Sequence, residues 1–232
     1  MTVGRTSDAR LRLDTGTALM RLTNVLGLTI AGEGNITRQP YLEQTYEQAS
    51  IHSAGGGINF STIYQTAEFE ALAQIAASNP RLSTELAIIC PPAPTSWHII
   101  PVSWPRASYD APADDAITRP WSLMRRGLGW VGTRVDSFDL SATAPATIGG
   151  DLDAGLAFVV LDQIGSRTGF QTSGANITGH INLSGGSMRT GIFGPLTVSG
   201  ADRDLRATIA GPSGNVSGWV LSLGTAEERP DG

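Results

Sequence analysis

The sequence predicts a mainly β protein, and three observations carry that expectation. Glycine supplies 28 of the 232 residues, well above the ~7% norm, which fits short strands joined by tight turns. Apolar and polar residues alternate with a period of two in several short runs. Only one stretch carries the helical period. Charged residues amount to 16% against ~25% in average soluble domains, so neighbours are expected to cover part of the surface.

The first alternating run sets Leu11 and Leu13 between Arg10, Arg12 and Asp14. Gly16 then turns the chain into a more apolar strand region, Leu19 to Ile30. From Glu33 to Gly57 the sequence is polar, with Gln39, Glu43, Gln44, Glu47 and Gln48 around Tyr41 and Tyr46. At about 25 residues this reads as a long loop, and loops of that length in compact domains are usually functional. Gly55-Gly56-Gly57 restarts a strand with Ile58, Phe60 and Tyr64 on one face and Asn59 and Ser61 on the other.

The one predicted helix starts at Thr66 as N-cap, with Glu68 and Glu70 at its positive end and Phe69, Leu72 and Ile75 or Ala76 as its apolar stripe. Asn79-Pro80 stops it. Strands are expected over Glu85 to Cys90, Trp97 to Trp104, Ile117 to Met124 and Leu128 to Phe138.

Near residue 138 the composition shifts. Four of the five tryptophans precede it, and 17 of the 28 glycines follow it. Residues 139–225 read as a second, all-β domain with strands at Leu156 to Leu161, Asn176 to Leu183, Leu196 to Ser199, Leu205 to Ile209 and Trp219 to Leu223, a sandwich or small-barrel pattern. Residues 226–232 form a polar tail. Few contacts are expected to cross the break, so the two parts are expected to be separable. Asn35-Ile36-Thr37 and Asn176-Ile177-Thr178 match, but their flanks do not, so no internal repeat is read.

All 16 basic residues are arginine, and arginine makes bidentate carboxylate pairs that suit interfaces. The net charge of −5 argues against a nucleic-acid reader, which needs a basic stripe. The single Cys90 excludes an internal disulfide, and its apolar run predicts a buried, inert thiol. No leader and no ~18-residue apolar span is read, so the expectation is a soluble, unprocessed product without a membrane anchor.

Catalytic chemistry finds no anchor in the residues. Gly127-Leu128-Gly129-Trp130-Val131-Gly132 has dinucleotide-loop spacing, but Thr133-Arg134-Val135 continues as strand where a helix would have to open. His52, His98 and His180 are far apart, without metal-ligand spacing. No Gly-x-Ser-x-Gly elbow occurs. Adjacent Asp114 and Asp115 point to opposite faces of an extended chain. Asp151/Asp153 and Asp202/Asp204 read as solvated turns, with calcium binding the minor alternative. The five Asn-x-Ser/Thr sequons carry no weight without a secretory leader. No catalytic residue, cofactor or metal is expected, and the chain is not expected to be an enzyme.

The order of elements over residues 1–138 resembles the tail-tube (major tail) protein family of long-tailed bacteriophages. The resemblance rests on Leu28-Thr29-Ile30-Ala31-Gly32-Glu33 leading into the polar stretch, Gly56-Gly57-Ile58-Asn59-Phe60-Ser61-Thr62-Ile63-Tyr64, and the helix Ala67-Glu68-Phe69-Glu70-Ala71-Leu72. It closes with Ala116-Ile117-Thr118-Arg119 through Gly129-Trp130-Val131-Gly132. The glycine-glycine strand with a tyrosine and a short amphipathic helix after it is the most specific part. The resemblance implies a tail-tube-like β-sandwich or barrel with one flanking helix and a long hairpin or loop, with residues 139–225 as an immunoglobulin-like or other β domain displayed outside the tube.

It further implies stacked homo-oligomeric rings, hexameric or, with a larger subunit, trimeric. The conduit would hold the tape-measure protein and genomic DNA without sequence-specific binding. The protein would then belong to the virion tail and be made in the host bacterial cytoplasm. Gln39, Tyr41, Glu43, Tyr46 and Glu47 are the inter-ring candidates; Asn59 and Ser61 are the lumen-facing ones. Three alternatives share the fold: a tail terminator, a baseplate hub, or the tube of a contractile or type VI secretion machine. An alternative from another class is a carbohydrate-binding or adhesive β module using exposed tryptophans, although Trp97, Trp104, Trp121 and Trp130 sit mostly on apolar strands.

Overall fold

A computed structural model describes residues 10–22, 25–39, 48–63, 85–90, 97–103, 118–125, 129–132 and 134–223. They are mainly β, and every strand pairing among them is antiparallel. The first sheet contains β1 (Arg10–Asp14), β2 (Leu19–Leu22), β3 (Val25–Gln39), β4 (Gln48–Ile63), β5 (Glu85–Cys90), β6 (Trp97–Ser103), β7 (Thr118–Arg125) and β8 (Trp130–Gly132). Its spatial order is β2-β1-β5-β6-β7-β4-β3. β6 changes partner along its length, pairing with β8 at Trp97 to Ile99 and with β7 at Val102 and Ser103.

The polar stretch after Glu33 is not a loop along most of its length. β3 and β4 pair from Val25↔Thr62 out to Gln39↔Gln48. Ladder bonds use backbone groups, so a stretch of polar sequence can pair as a two-stranded ribbon without leaving the hydrophobic alternation by which strands are read. Beyond Gly57 the ribbon leaves the sheet, because β7 pairs with β4 only between Gly57 and Ile63. Its register slips at His52, an extra residue on β4 opposite the Asn35/Ile36 step. The expected helix at 66–79 lies outside the described residues.

The second body is a two-sheet sandwich. One sheet has the order β10-β16-β12-β14 and the other β13-β15-β11-β17-β9. The strands are β9 (Arg134–Leu140), β10 (Ala146–Gly149), β11 (Gly155–Gln163), β12 (Gly169–Ser173), β13 (Ile177–Thr178), β14 (Asn182–Ser184), β15 (Gly191–Val198), β16 (Leu205–Ala210) and β17 (Val216–Leu223). Three predicted strand regions are each divided, the first being Leu19 to Ile30, which becomes β2 and β3 at opposite ends of the first sheet's order. Leu128 to Phe138 becomes β8 in the first sheet and β9 in the sandwich, so the chain changes sheet near residue 133 and Phe138 lies inside β9. Asn176 to Leu183 becomes β13 and β14 in opposite sheets. Gly179, at φ +81, takes the left-handed conformation that the intervening turn needs.

Three apolar clusters hold this arrangement. Phe138, Leu161, Phe170, Leu196, Ile209 and Val220 lie within the sandwich core. Leu11, Leu13, Ile58, Phe60, Ile100, Val102, Trp121 and Leu123 make one face of the first sheet. The third cluster joins the two bodies: Trp97 and Ile99 from β6 pack with Phe158, Val160, Ile192, Leu221 and Leu223, and with partly buried Leu19, Trp130 and Trp219. Consecutive Ile99 and Ile100 are both buried, on opposite faces, so the first sheet is covered on both sides at β6.

That third cluster runs against the expectation that few contacts cross the compositional break. The break records glycine and tryptophan usage, which does not report how the two bodies pack. A chain ended after Phe138 would uncover Trp97 and Ile99, each worth about 1.5–3 kcal/mol of burial. The expected product is insoluble or self-associating, checked by sedimentation and thermal melting. A soluble product with a cooperative melt would show that the first sheet stands alone.

Candidate functional site

Two surfaces and one interface carry the polar features of the molecule. The first surface lies on β4 and β7. Ile58 and Phe60 are 1% and 2% exposed, whereas Asn59 is exposed and Ser61 half-buried. Their partners repeat the pattern: Trp121 and Leu123 are buried, while Pro120 and Ser122 are exposed. The register sets Asn59 opposite Ser122 and Ser61 opposite Pro120, giving a small wet patch of four uncharged residues. The alternation read from the sequence is therefore present, with its polar face turned to solvent.

The second surface is the β3–β4 ribbon. Gln39 is the last residue of β3, paired with Gln48; Tyr41, Glu43, Tyr46 and Glu47 lie outside the described residues. Residues 32–39 at ~3.4 Å each carry the ribbon roughly 27 Å from the point where β7 stops pairing, at Ala31↔Gly57.

The interface was not legible in the sequence. The β1–β2 turn closes with Thr15 N–H donating to Ala18 O at 3.0 Å, and Gly16 supplies the required positive φ of +82°. Its amide donates to Asp14 Oδ1 at 2.8 Å. The Asp14 carboxylate, 2% exposed, then reaches into the sandwich. Arg189 Nη1 donates to Oδ1 at 2.8 Å, and the Ile192 amide donates to Oδ2 at 2.7 Å. Two strand positions before it, fully buried Arg12 donates from Nε to Asp162 Oδ1 at 3.3 Å and lies 4.4 Å from the centre of the Trp219 ring. Trp219 itself leans on Trp97, 5.9 Å between ring centres.

Both ionic residues occupy positions on β1 where alternation predicts a wet face. They are buried because the sandwich covers that face. The signal that could have found them is their place on an apolar strand in a chain so poor in charge.

The residues weighed for catalysis fall elsewhere. Gly129 and β8 lead into β9, a strand, so the helix that a dinucleotide loop needs is not there. Gly132 has another use: a Cβ there would collide with the Ser222 carbonyl oxygen and stand 2.8 Å from Leu223 Cα, so glycine lets β8 pass close over β17. His98 is half-buried on β6 and His180 exposed in the turn before β14. Asp151 pairs with Arg203 at 2.9 Å, and Asp204 Oδ1 accepts the Asp151 amide at 2.8 Å, so these acidic residues stitch two turns together. Among the described residues no group of three or more His, Cys, Asp or Glu side chains is placed to hold a metal.

No helix among the described residues is long and apolar enough to cross a membrane. Trp97 and Trp121 are buried, Trp130 packs on Phe158 with ring centres 5.1 Å apart, and Trp219 is held between Arg12 and Trp97. Those four tryptophans are packing residues, and Trp104 lies outside the described residues. No protein-family model matches the chain, and no curated protein is significantly similar to it.

Replacing Asp14 by alanine would strand three donors, those of Gly16 in its own turn and of Ile192 and Arg189 on the facing segment of the sandwich. Breaking a buried pair by removing one partner costs about 3–5 kcal/mol, and Arg189 is partly solvated, so the lower end is expected. A fall in the urea midpoint of Asp14→Ala with unchanged slope would register this. A change under about 0.5 kcal/mol would mean that water replaces the carboxylate without cost.

Proposed function

We propose that this chain is a structural subunit of a long-tailed phage tail tube, assembling into stacked rings that form the conduit for DNA ejection. The observation that carries this reading is the β3–β4 ribbon. An isolated two-stranded ribbon is marginal in water, and this one runs past its sheet toward residues 39–47. A partner that receives it would supply the missing burial, and in a stack of identical rings that partner is the next copy. The sheet edge at β3, fifteen residues long, is of the kind that closed rings remove by pairing.

The wet patch at Asn59 and Ser61 supports a lumen face. By strict alternation it shares a side of the sheet with Arg12, Asp14 and Ile99, which carry the sandwich. It lies four strand steps from β1 and two from β6, so a twist of ~20–25° per step turns it roughly 80–100° from the Arg12 and Asp14 contact and roughly 40–50° from that of Ile99. The sandwich and a lumen can therefore lie in different directions. Uncharged side chains there would offer DNA neither ion pair nor repulsion, and the net acidity of the chain gives phosphates no cation lattice to bind.

The shared apolar cluster favours one refinement. A module merely displayed outside a tube needs no common core with it, whereas Trp97 and Ile99 are sealed by Phe158, Val160 and Leu221. We therefore read the sandwich as part of an enlarged subunit, which suits a ring of fewer copies. A tail terminator or hub protein would share these features and differ in stopping after one ring.

Negative-stain microscopy of the purified protein separates these outcomes: long tubes for a tube protein, single rings for a terminator or hub, neither for an adhesive module. Removing residues 38–50 should leave a folded subunit that no longer stacks. Asn59→Arg should fold and form tubes that retain added DNA in a salt-dependent way. Phe60→Arg should lose more than about 4 kcal/mol and fail to fold, because its charge is forced into the core. The reverse result, an unfolded Asn59→Arg beside a folded Phe60→Arg, would place the wet face on the other side.

A further inference from the structure

Among the described residues the strand order of the first sheet ends on two edge strands, with β8 branching off β6, and the two ends are treated differently. β3 forms one along fifteen residues, and β2 forms the other with four. The turn bond from Thr15 to Ala18 fixes the alternation of the β1–β2 pair, so the amides of Leu19 and Arg21 point away from β1. Unpaired outward amides on a strand invite another strand to add. Here the Leu19 amide is already taken: it donates to Thr190 Oγ1 of the sandwich at 2.9 Å.

Thr190 is held in place from both sides by one carboxylate. Arg189, just before it, donates to Asp14 Oδ1, and Ile192, two residues after it, donates its amide to Asp14 Oδ2. Gly191 lies so close that an added Cβ would sit 2.8 Å from Asp14 Oδ2 and collide with the Arg189 guanidinium. A side chain at position 191 would make the Arg189 guanidinium and the Asp14 carboxylate shift from each other.

We infer that residues 189–192 are an edge guard. They occupy one of the two outward amides of β2 and stop a strand of a second copy from pairing there, which leaves β3 as the long open edge of the first sheet among the described residues. Asp14 thus anchors a blocking segment as well as the interface. The inference does not depend on whether the chain builds tubes.

The test uses the full chain with three substitutions: Thr190→Val, which keeps shape and loses the hydroxyl, Thr190→Ala, which excludes strain from the valine, and Thr190→Ser, which restores the hydroxyl. Leu19 amide exchange should quicken at least tenfold in the first two and stay at the parent value in the third. Light scattering should show concentration-dependent larger species only in the first two. Adding Arg21→Pro to Thr190→Val removes the other outward amide and should return the mass distribution to that of the parent. Unchanged Leu19 exchange, faster exchange without new association, or large species that persist with Arg21→Pro would each overturn the guard.

Discussion

The Asp14 carboxylate is the constraint on which the joining of the two bodies depends. A buried carboxylate is tolerable only when its oxygens are fully engaged, since removing an ion from water costs several kcal/mol even after relaxation. Here the Gly16 amide comes from its own turn, while the Arg189 side chain and the Ile192 amide come from the segment that leads into β15, more than 170 residues away. Satisfying this one group therefore fixes the turn of the first hairpin, the path of the chain into β15 and the distance between the bodies. The apolar cluster around Trp97, Ile99 and Phe158 supplies the bulk attraction, which has no direction of its own. The carboxylate supplies the register.

Arg12 extends the same logic. Its guanidinium is flat, so it can lie on the Trp219 ring and reach Asp162 with its Nε at the same time, a combination that the point charge of lysine would not reproduce. An all-arginine cation set is consistent with an interface where planar recognition counts. The same residues make the interface specific, because a slip of β1 by one position would exchange Arg12 and Asp14 for Leu11 and Leu13 and bury the wrong face.

The first sheet is sealed at one end of its strand order and, among the described residues, open at the other. The ribbon of β3 and β4 lies at the end opposite β1 and β2, and the uncharged patch at Asn59 and Ser61 lies two strands from β6, which also meets the sandwich. A division of this kind, with one end of a sheet sealed within the chain and the other open, is what a subunit needs if it is to add neighbours in a defined direction.

The sequence by itself determined the β class, the alternation of Ile58 and Phe60 with Asn59 and Ser61, and most strands of the second body. Each of these is a local pattern with a short period, and backbone geometry converts a period of two directly into faces. It did not determine that Glu33 to Gln39 and Gln48 to Gly57 pair, because a ladder made of backbone bonds between polar residues leaves no hydrophobic trace. Nor did it determine that Leu128 to Phe138 divides between two sheets, with β8 ending at Gly132 and β9 starting at Arg134. Above all, it could not assign Arg12 and Asp14, whose alternation with leucine reads as an exposed face in any local window. Only the tertiary structure brings Asp162, Arg189 and Trp219 over that face, and burial is a property of what arrives from elsewhere in the chain.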